Sequence, residues 1–269
     1  MDHSGLTPAD RTAAVSLSFD DGTRTQRELA ASILAEHGLR ATFYVNPQGT
    51  TPTAPDWEQA MQPWARLSRA GHEIGNHTLT HPTPRSMVPE PLDRCFETMS
   101  LADIEGEIVE AERRLVLLTG VTRRTFAYPY TVDFVGEGLT QQSYVPVVAR
   151  HFVAARNGQH TVNYLTTCNL HSLWSMVCWR HSGAEMIGWA DRAAATGAWL
   201  IYMFHGIGGE HLSIAEEDFR ALCAYLARPG IGLWVAPVIE VADEVLRRRT
   251  AGSHDRQPAG GGLTHQPDG

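Results

Sequence analysis

In SLSFDDGTRTQRELA, residues 16 to 30, an apolar alternating run ends in two adjacent carboxylates, Asp20 and Asp21. Like charges in one site raise each other's pKa or demand a cation, so the pair is costly unless something uses it. On residue type alone one of them could equally cap a turn, because Asp-Gly is a turn signal. A second stretch, GHEIGNHTLTHP at residues 71 to 82, sets His77 and His81 four apart after a short strand-like run. That spacing predicts one face of a helical turn, closed by Pro82, from which both imidazoles approach one metal ion. Two solvated or capping histidines are the alternative. Two His and one Asp make the three-protein-ligand set of a catalytic zinc site with an open position for water, so the two stretches explain each other.

YMFHGIGG, residues 202 to 209, places His205 directly after an apolar run and before glycines; a core or turn histidine is the competing reading. In FAYPYT, residues 126 to 131, Pro129 stiffens a loop and Tyr130 offers a backbone N–H of the kind that stabilises a developing oxyanion. A Pro-bearing loop packing two aromatics accounts for it equally well.

These groups need a frame. Candidate strands cover 13–19, 40–45, 72–75, 124–128, 151–155, 199–204 and 232–236. Between them, 25–36 reads as a helix opened by the capping-box pattern Thr25-x-x-Glu28 and closed by Gly38, and a longer helix runs from Ser100 through Ile104, Ile108, Ala111 and Leu115 to Gly120. Further helices are expected over 184–195, 213–226 and 238–248. Repeated βα units predict an α/β fold with a parallel barrel. Asp20, Asp21, His77 and His205 then fall at the carboxyl ends of strands, which in a barrel is a single face.

The chain has 269 residues, 43% of them hydrophobic, enough for one sizeable core. The expected division is an extension over 1–12, one barrel domain over 13–249 and a polar, Gly/Pro-rich disordered tail over 250–269. A formal charge of -8 without a basic stripe argues against nucleic acid and against an anionic membrane surface as partner. No apolar run nears the roughly 18 residues of a membrane span, and MDHSGLTPADRT carries no signal-peptide core, so a cytoplasmic location is expected. Cys95, Cys168, Cys178 and Cys223 lack CxxC spacing and read as buried free thiols.

SLSFDDGT, HEIGNHTLTHP, FAYPYT and MFHGIG, in this order, resemble the first, second, third and fifth motifs of the polysaccharide deacetylase family, the NodB homology domain of carbohydrate esterase family 4. The resemblance spans roughly residues 13 to 245. It implies a distorted (β/α)7 barrel that holds one divalent metal ion, usually zinc, and hydrolyses the acetyl group of N- or O-acetylated sugars. It implies Asp20 as catalytic base, Asp21, His77 and His81 as metal ligands, and His205 as general acid. Tyr130 matches the residue whose backbone N–H faces the oxyanion.

Two departures stand out. The third motif usually carries an Arg two residues before the Pro, where this chain has Ala127, and the Asp-Trp pair of the fourth motif is not recognisable, although SLWSMVCWRHSG supplies Trp174 and Trp179. In ARHFVAARNGQ, residues 149 to 159, Arg156 ends a candidate strand on the face where the other groups gather, with Arg150 at the opposite end. Arg156 is therefore expected to replace the missing guanidinium beside Asp20; a surface Arg is the alternative. The substrate expected is an acetylated carbohydrate or similar small glycoside. A same-fold hydrolase of a non-sugar C–N bond, such as a cyclic ureide, and a non-catalytic carbohydrate-binding barrel are the alternatives. Oligomeric state is not legible.

Overall fold

Along β1 (Ala14–Phe19) side chains alternate: Val15, Leu17 and Phe19 enter the largest apolar cluster with Ile33 and Phe219, while Ser16 and Ser18 take the other face. There Ser16 accepts from the Trp199 indole N–H at 3.0 Å and Ser18 donates to the Tyr202 carbonyl at 2.6 Å, so neither buried hydroxyl is orphaned. The computed structural model describes residues 12–51, 53–87 and 95–254. Nearly all of the extension expected over 1–12, and the tail from 255 onward, lie outside the described residues.

After β1 a π-helical turn, Gln26–Ala30, runs into α1 (Ala31–Glu36). There follow β2 (Thr42–Val45), α2 (Trp57–Ala60), α3 (Gln62–Arg69), β3 (Glu73–Asn76), α4 (Leu101–Thr119) and β4 (Phe126–Ala127). A small hairpin of β5 (Phe134–Val135) and β6 (Gln142–Ser143) leads to α5 (Val145–His151) and β7 (Ala155–Arg156). The chain ends with β8 (Met176–Val177), α6 (Gly183–Thr196), β9 (Trp199–Phe204), α7 (Glu216–Leu226), β10 (Trp234–Val235) and α8 (Val238–His254).

The main sheet is parallel, in the order β7-β4-β3-β2-β1-β9-β8, with β10 beside β1. β1 changes partner along its length: Ala14 pairs with Trp234, whereas Ser18 pairs with Thr42. At the far edge Arg156 bridges to Leu173, just ahead of β8, and the curled sheet forms a (β/α) barrel. β1 and β9 are buried along their whole length, as parallel strands covered on both faces must be. At the amino-terminal end of the strands, the buried Glu73 carboxylate accepts from the Thr125 N–H and hydroxyl, the Thr42 hydroxyl and the Ile239 N–H, tying β2, β4 and α8 together. None of the described helices is long and apolar enough to cross a membrane.

Several expected elements differ. Ser100 does cap α4, accepting from the Asp103 N–H at 3.2 Å, and Gly120 ends it at φ 71°. Thr25 makes no capping box: its hydroxyl donates to Glu210 instead, and Glu28 pairs with Arg24. The strand expected over 151–155 divides, because Pro146 opens α5 and the extended segment begins only at Ala155. A short apolar run alone does not distinguish buried helix from strand. Arg150 consequently lies in α5, paired with Glu105 at 2.9 Å, and not on a strand. The last helix passes the expected stop at Arg248 and reaches His254. Cys95, Cys178 and Cys223 are buried and Cys168 is half-buried, and none forms a disulfide among the described residues.

Candidate active site

Asp20 leaves the end of β1 with its N–H bonded to the Phe204 carbonyl at 2.9 Å, which sets the ends of β1 and β9 side by side. The chain then turns through the left-handed region at Asp21 (φ 73°) and Gly22 (φ 62°). Asp tolerates that region better than most residues, and the turn aims the two carboxylates in different directions. The Gln26 side chain, one turn further on, donates to the main-chain carbonyls of both Asp20 and His205.

His77 follows β3. Its Nδ1 lies 2.8 Å from the Ala127 carbonyl oxygen, which can only accept, so Nδ1 carries the hydrogen and Nε2 faces the cavity. The segment from His77 to His81 is not the helical turn expected from the spacing: Thr78 (φ 66°) and His81 (φ 54°) both adopt left-handed backbone. Side chains fix this loop in place of helical bonds. Asn46 donates to the carbonyls of His77 (2.6 Å) and Thr78 (3.1 Å), and Glu107 accepts from the N–H and hydroxyl of Thr80. The imidazoles of His77 and His81 still converge, 4.8 Å between ring centres.

Asp21, His77 and His81 each offer a ligand atom, all within 4.8 Å of one another. Asp21 Oδ1 is 3.4 Å from His77 Nε2 and 3.3 Å from His81 Nε2, yet it is buried and accepts no hydrogen bond among the described residues. Two ligands about 2.1 Å from one tetrahedral ion stand about 3.4 Å apart. A neutral His77 presents a lone pair to this oxygen, an arrangement that needs a proton or a cation between the two. The charges agree. Burial would raise Asp21, but the two imidazoles hold it well below the usual carboxylate range. Burial would lower His77, but Asp21 and then Asp20 hold it above its ordinary value. The residues fit a divalent ion.

Asp20 takes no part in that cluster. Its carboxylate receives the Arg156 guanidinium, with Nη2 2.6 Å from Oδ1 and in contact with Oδ2 as well. Arg156 is fully buried, its second amino group donates to Ser175 Oγ at 3.3 Å, and its guanidinium lies 5.2 Å from the centre of the Tyr44 ring. Arg156 and Ala127 are register partners on β7 and β4. The guanidinium thus reaches Asp20 from the strand next to the one where the family's third motif would place it.

His205 follows β9, with Nε2 3.9 Å from Asp21 Oδ2. Burial lowers its pKa, against the opposing pull of Asp20 and Asp21. Its Nδ1 is buried and makes no hydrogen bond among the described residues. Tyr130 sits at φ 52° with its ring 5.1 Å from that of His81, exposed at the mouth of the site. A cavity of about 190 Å³ brings together Asp20, Asp21, His77, His81, Tyr130 and His205, with Val177, Met203 and Leu212 as apolar wall. Trp174 and Trp179 do not line it. Sequence reading missed Asn46, a polar residue directly after β2, and Gln26, which opens the π-helical turn seven residues past the end of β1 and carries no such signal.

Residues 8–133 match the profile described as polysaccharide deacetylase. This segment is similar to the polysaccharide deacetylase family. The family match covers Asp20, Asp21, His77, His81 and Tyr130, and stops short of Arg156 and His205. Among curated proteins, the chain is 33% identical over 120 residues to a chitooligosaccharide deacetylase of Sinorhizobium fredii, covering 43% of this chain and 46% of that one. It is 27% identical over 167 residues to a gellan lyase of a Bacillus species, covering 60% of this chain and 6% of that one. The chain thus spans less than half the length of these relatives. A solved structure from Mycobacterium smegmatis, described as a polysaccharide deacetylase, superposes with a TM-score of 0.59 at 14% identity, covering 91% of this chain and 93% of that one. At that identity the likeness is one of fold, and it covers the part of the chain beyond residue 133 as well.

Proposed function

We propose that this chain is a metal-dependent deacetylase that hydrolyses the acetyl group of an N- or O-acetylated sugar. One observation carries the reading: a carboxylate held by a buried guanidinium lies beside a three-ligand cluster in the same small cavity as His205. A divalent ion held by Asp21, His77 and His81, for which zinc suits the donor set, supplies a Lewis acid for the acyl carbonyl and makes water more acidic.

The side chains divide the remaining work. Asp20, kept out of the cluster by Arg156, accepts the proton of the attacking water. His205, on the other side of Asp21, donates a proton to the departing nitrogen or oxygen, since an amine anion is too basic to leave unprotonated. Its depressed pKa makes it a stronger acid, provided it is charged when substrate is bound. The Tyr130 N–H is the candidate donor to the oxyanion, and Val177, Met203 and Leu212 exclude water around the acyl group.

Acetate release from N-acetylated chitooligosaccharides, assayed before and after chelation and with zinc restored, tests the reading. Activity lost on chelation and recovered with zinc is expected, together with a loss of about 100-fold to 10,000-fold in Asp20→Asn. A fully active, chelator-indifferent protein would rule the metal out. A protein inactive on every acetylated sugar and aryl acetate tried, with metal bound, would favour the non-catalytic barrel.

A further inference from the structure

A helix laid over a parallel sheet covers the outward side chains of its strands. Every connection between consecutive strands of the main sheet carries such a helix except the one from β7 to β8, where residues 157–175 make turns and bridges only. The last part of that segment alternates in its facing. Leu173 enters the interior cluster with Trp199 and Ile201, and Ser175 accepts from the buried Arg156 at 3.3 Å. Trp174, between them, therefore points out of the barrel, and with no helix over it stays 43% exposed.

A buried amide holds Trp174 in place. Asn163 Nδ2 donates to the Trp174 carbonyl at 2.8 Å, and Asn163 Oδ1 accepts the Trp174 N–H at 2.9 Å. The Asn163 backbone is itself paired with Trp199 at the start of β9, N–H to carbonyl in both directions, at 2.9 and 2.8 Å. Tyr164, the next residue, is thereby fixed relative to Trp174; it is 48% exposed, and its carbonyl closes a turn by accepting the Thr167 and Cys168 N–H groups. Both rings line one groove of about 400 Å³, beside the side chains of Thr167, Asn169 and Ser172. No residue lining the groove is charged, and none is shared with the cavity of Asp20 and His205. Arg249 of α8 touches its edge, donating to the Cys168 carbonyl.

Large side chains exposed singly are ordinary on a protein surface, but two aromatics fixed on one groove by a buried amide are a prepared surface. The groove's volume lies within the usual range for small-ligand sites. Its lining selects by chemistry. Indole and phenol faces carry the negative side of the ring quadrupole, which suits the weakly positive C–H faces of a pyranose, and the neighbouring hydroxyls and amide can exchange hydrogen bonds with its hydroxyls. An uncharged lining gives an ionic ligand no counter-charge. We propose that this groove is a second carbohydrate-binding site, on the flank of the barrel, that holds a neutral glycan chain and takes no part in hydrolysis. The proposal does not depend on what Asp20 and the Asp21, His77 and His81 cluster do.

The test titrates cellohexaose and xylohexaose, neutral chains without an acyl group, into wild type, Trp174→Ala, Trp174→Phe and Tyr164→Ala, following heat and indole fluorescence. Wild type is expected to bind at least one of them, and loss of either stacked ring to weaken that binding by about tenfold, while Trp174→Phe keeps most of it. Melting temperature and acetate release from di-N-acetylchitobiose are expected to stay at wild-type values in all three variants. Binding of neither chain, or binding unchanged in Trp174→Ala, overturns the proposal, as does tighter binding of the anionic trigalacturonate than of either neutral chain. A wild-type dimer that Trp174→Ala dissociates in sedimentation velocity would assign the face to a second copy and also overturn it. A protein that binds cellohexaose through Trp174 yet deacetylates nothing would support this site while counting against the reading of the cavity.

Discussion

The Arg156 guanidinium and the Asp20 carboxylate form a buried pair, 2.6 Å from Nη2 to Oδ1, although 135 residues of chain separate them. A buried charge that loses its partner typically costs about 3–5 kcal/mol, so Arg156→Ala is expected to be both less stable and less active. Stability alone could explain the loss. The register pairing of Arg156 with Ala127 supplies the control. In the double variant Ala127→Arg with Arg156→Ala, the cation returns to the position the family's third motif gives it. Turnover is expected to fall at least about tenfold in Arg156→Ala and to recover in part in the double variant, with zinc bound in both. Recovery of the melting temperature without recovery of turnover would show that the pair only supports the fold.

The metal cluster makes a prediction about protons. Without the ion, Asp21 and Asp20 hold His77 above its ordinary pKa, so at pH below that raised value a proton occupies the place the cation takes. Metal binding then releases that proton at any pH below the raised value, and affinity falls as pH drops through it. Calorimetric titration with zinc in buffers of differing ionisation enthalpy is expected to report more proton release near pH 6 than near pH 8, and weaker binding, by up to about tenfold per pH unit as His77 must deprotonate. His77→Ala and His81→Ala are each expected to leave zinc below about a tenth of stoichiometric after gel filtration, since two ligands hold the ion poorly. Affinity that ignores pH over this range would place the ion elsewhere.

How much of this was legible in the sequence depends on the kind of signal each residue left. Asp20, Asp21, His77 and His205 announced themselves because each follows a strand-like run, and the carboxyl ends of parallel strands meet on one face. Arg156 was legible by the same logic, even though the strand expected to carry it was misplaced, because its position at a strand end mattered more than the strand's start. The path between His77 and His81 was not. A four-residue spacing reads as a helical turn, but here Asn46 and Glu107, remote in sequence, hold a left-handed loop that reaches the same convergence. The second halves of the barrel's βα units were hardest, since strands of two residues, such as β7 and β8, are too short to show any periodicity.

His72 gives the fold a titration of its own, away from the site. It is 8% exposed, and its Nδ1 accepts the Ala41 N–H at 3.2 Å, a bond only the neutral ring can make. Burial, reinforced by Arg40, pushes it down from 6.5 to about 4. The unfolded chain takes up this proton near pH 6.5 and the folded chain only near pH 4, so stability from this residue is complete above about pH 6.5 and is lost as pH falls toward 4. The span corresponds to about 3 kcal/mol at most. Carboxylates titrate nearby, so the informative quantity is the difference between wild type and His72→Gln in urea midpoint across this window. Parallel curves would remove His72 from the pH dependence.

Gln26 is the least conspicuous residue with a consequence for turnover. It is fully buried, and its amide N–H groups reach the main-chain carbonyls of Asp20 and His205, which end β1 and β9. One side chain therefore sets the spacing between the proposed base and the proposed acid without touching the cavity. Gln26→Met keeps the length and burial but leaves two carbonyls without a donor, at a cost of about 1–3 kcal/mol each unless water replaces it. Misplacement of reacting groups by about 1 Å can cost about 100-fold, so kcat is expected to fall by at least about tenfold. KM and zinc content depend on groups Gln26 does not hold, and should change little. Gln26→Glu separates packing from hydrogen bonding: as a neutral acid it can restore one bond, and as an anion it faces two carbonyls. Its activity is expected to recover in part as pH falls. A Gln26→Met protein with wild-type kcat would show that the strand ends hold their spacing through the Asp20 N–H to Phe204 bond alone.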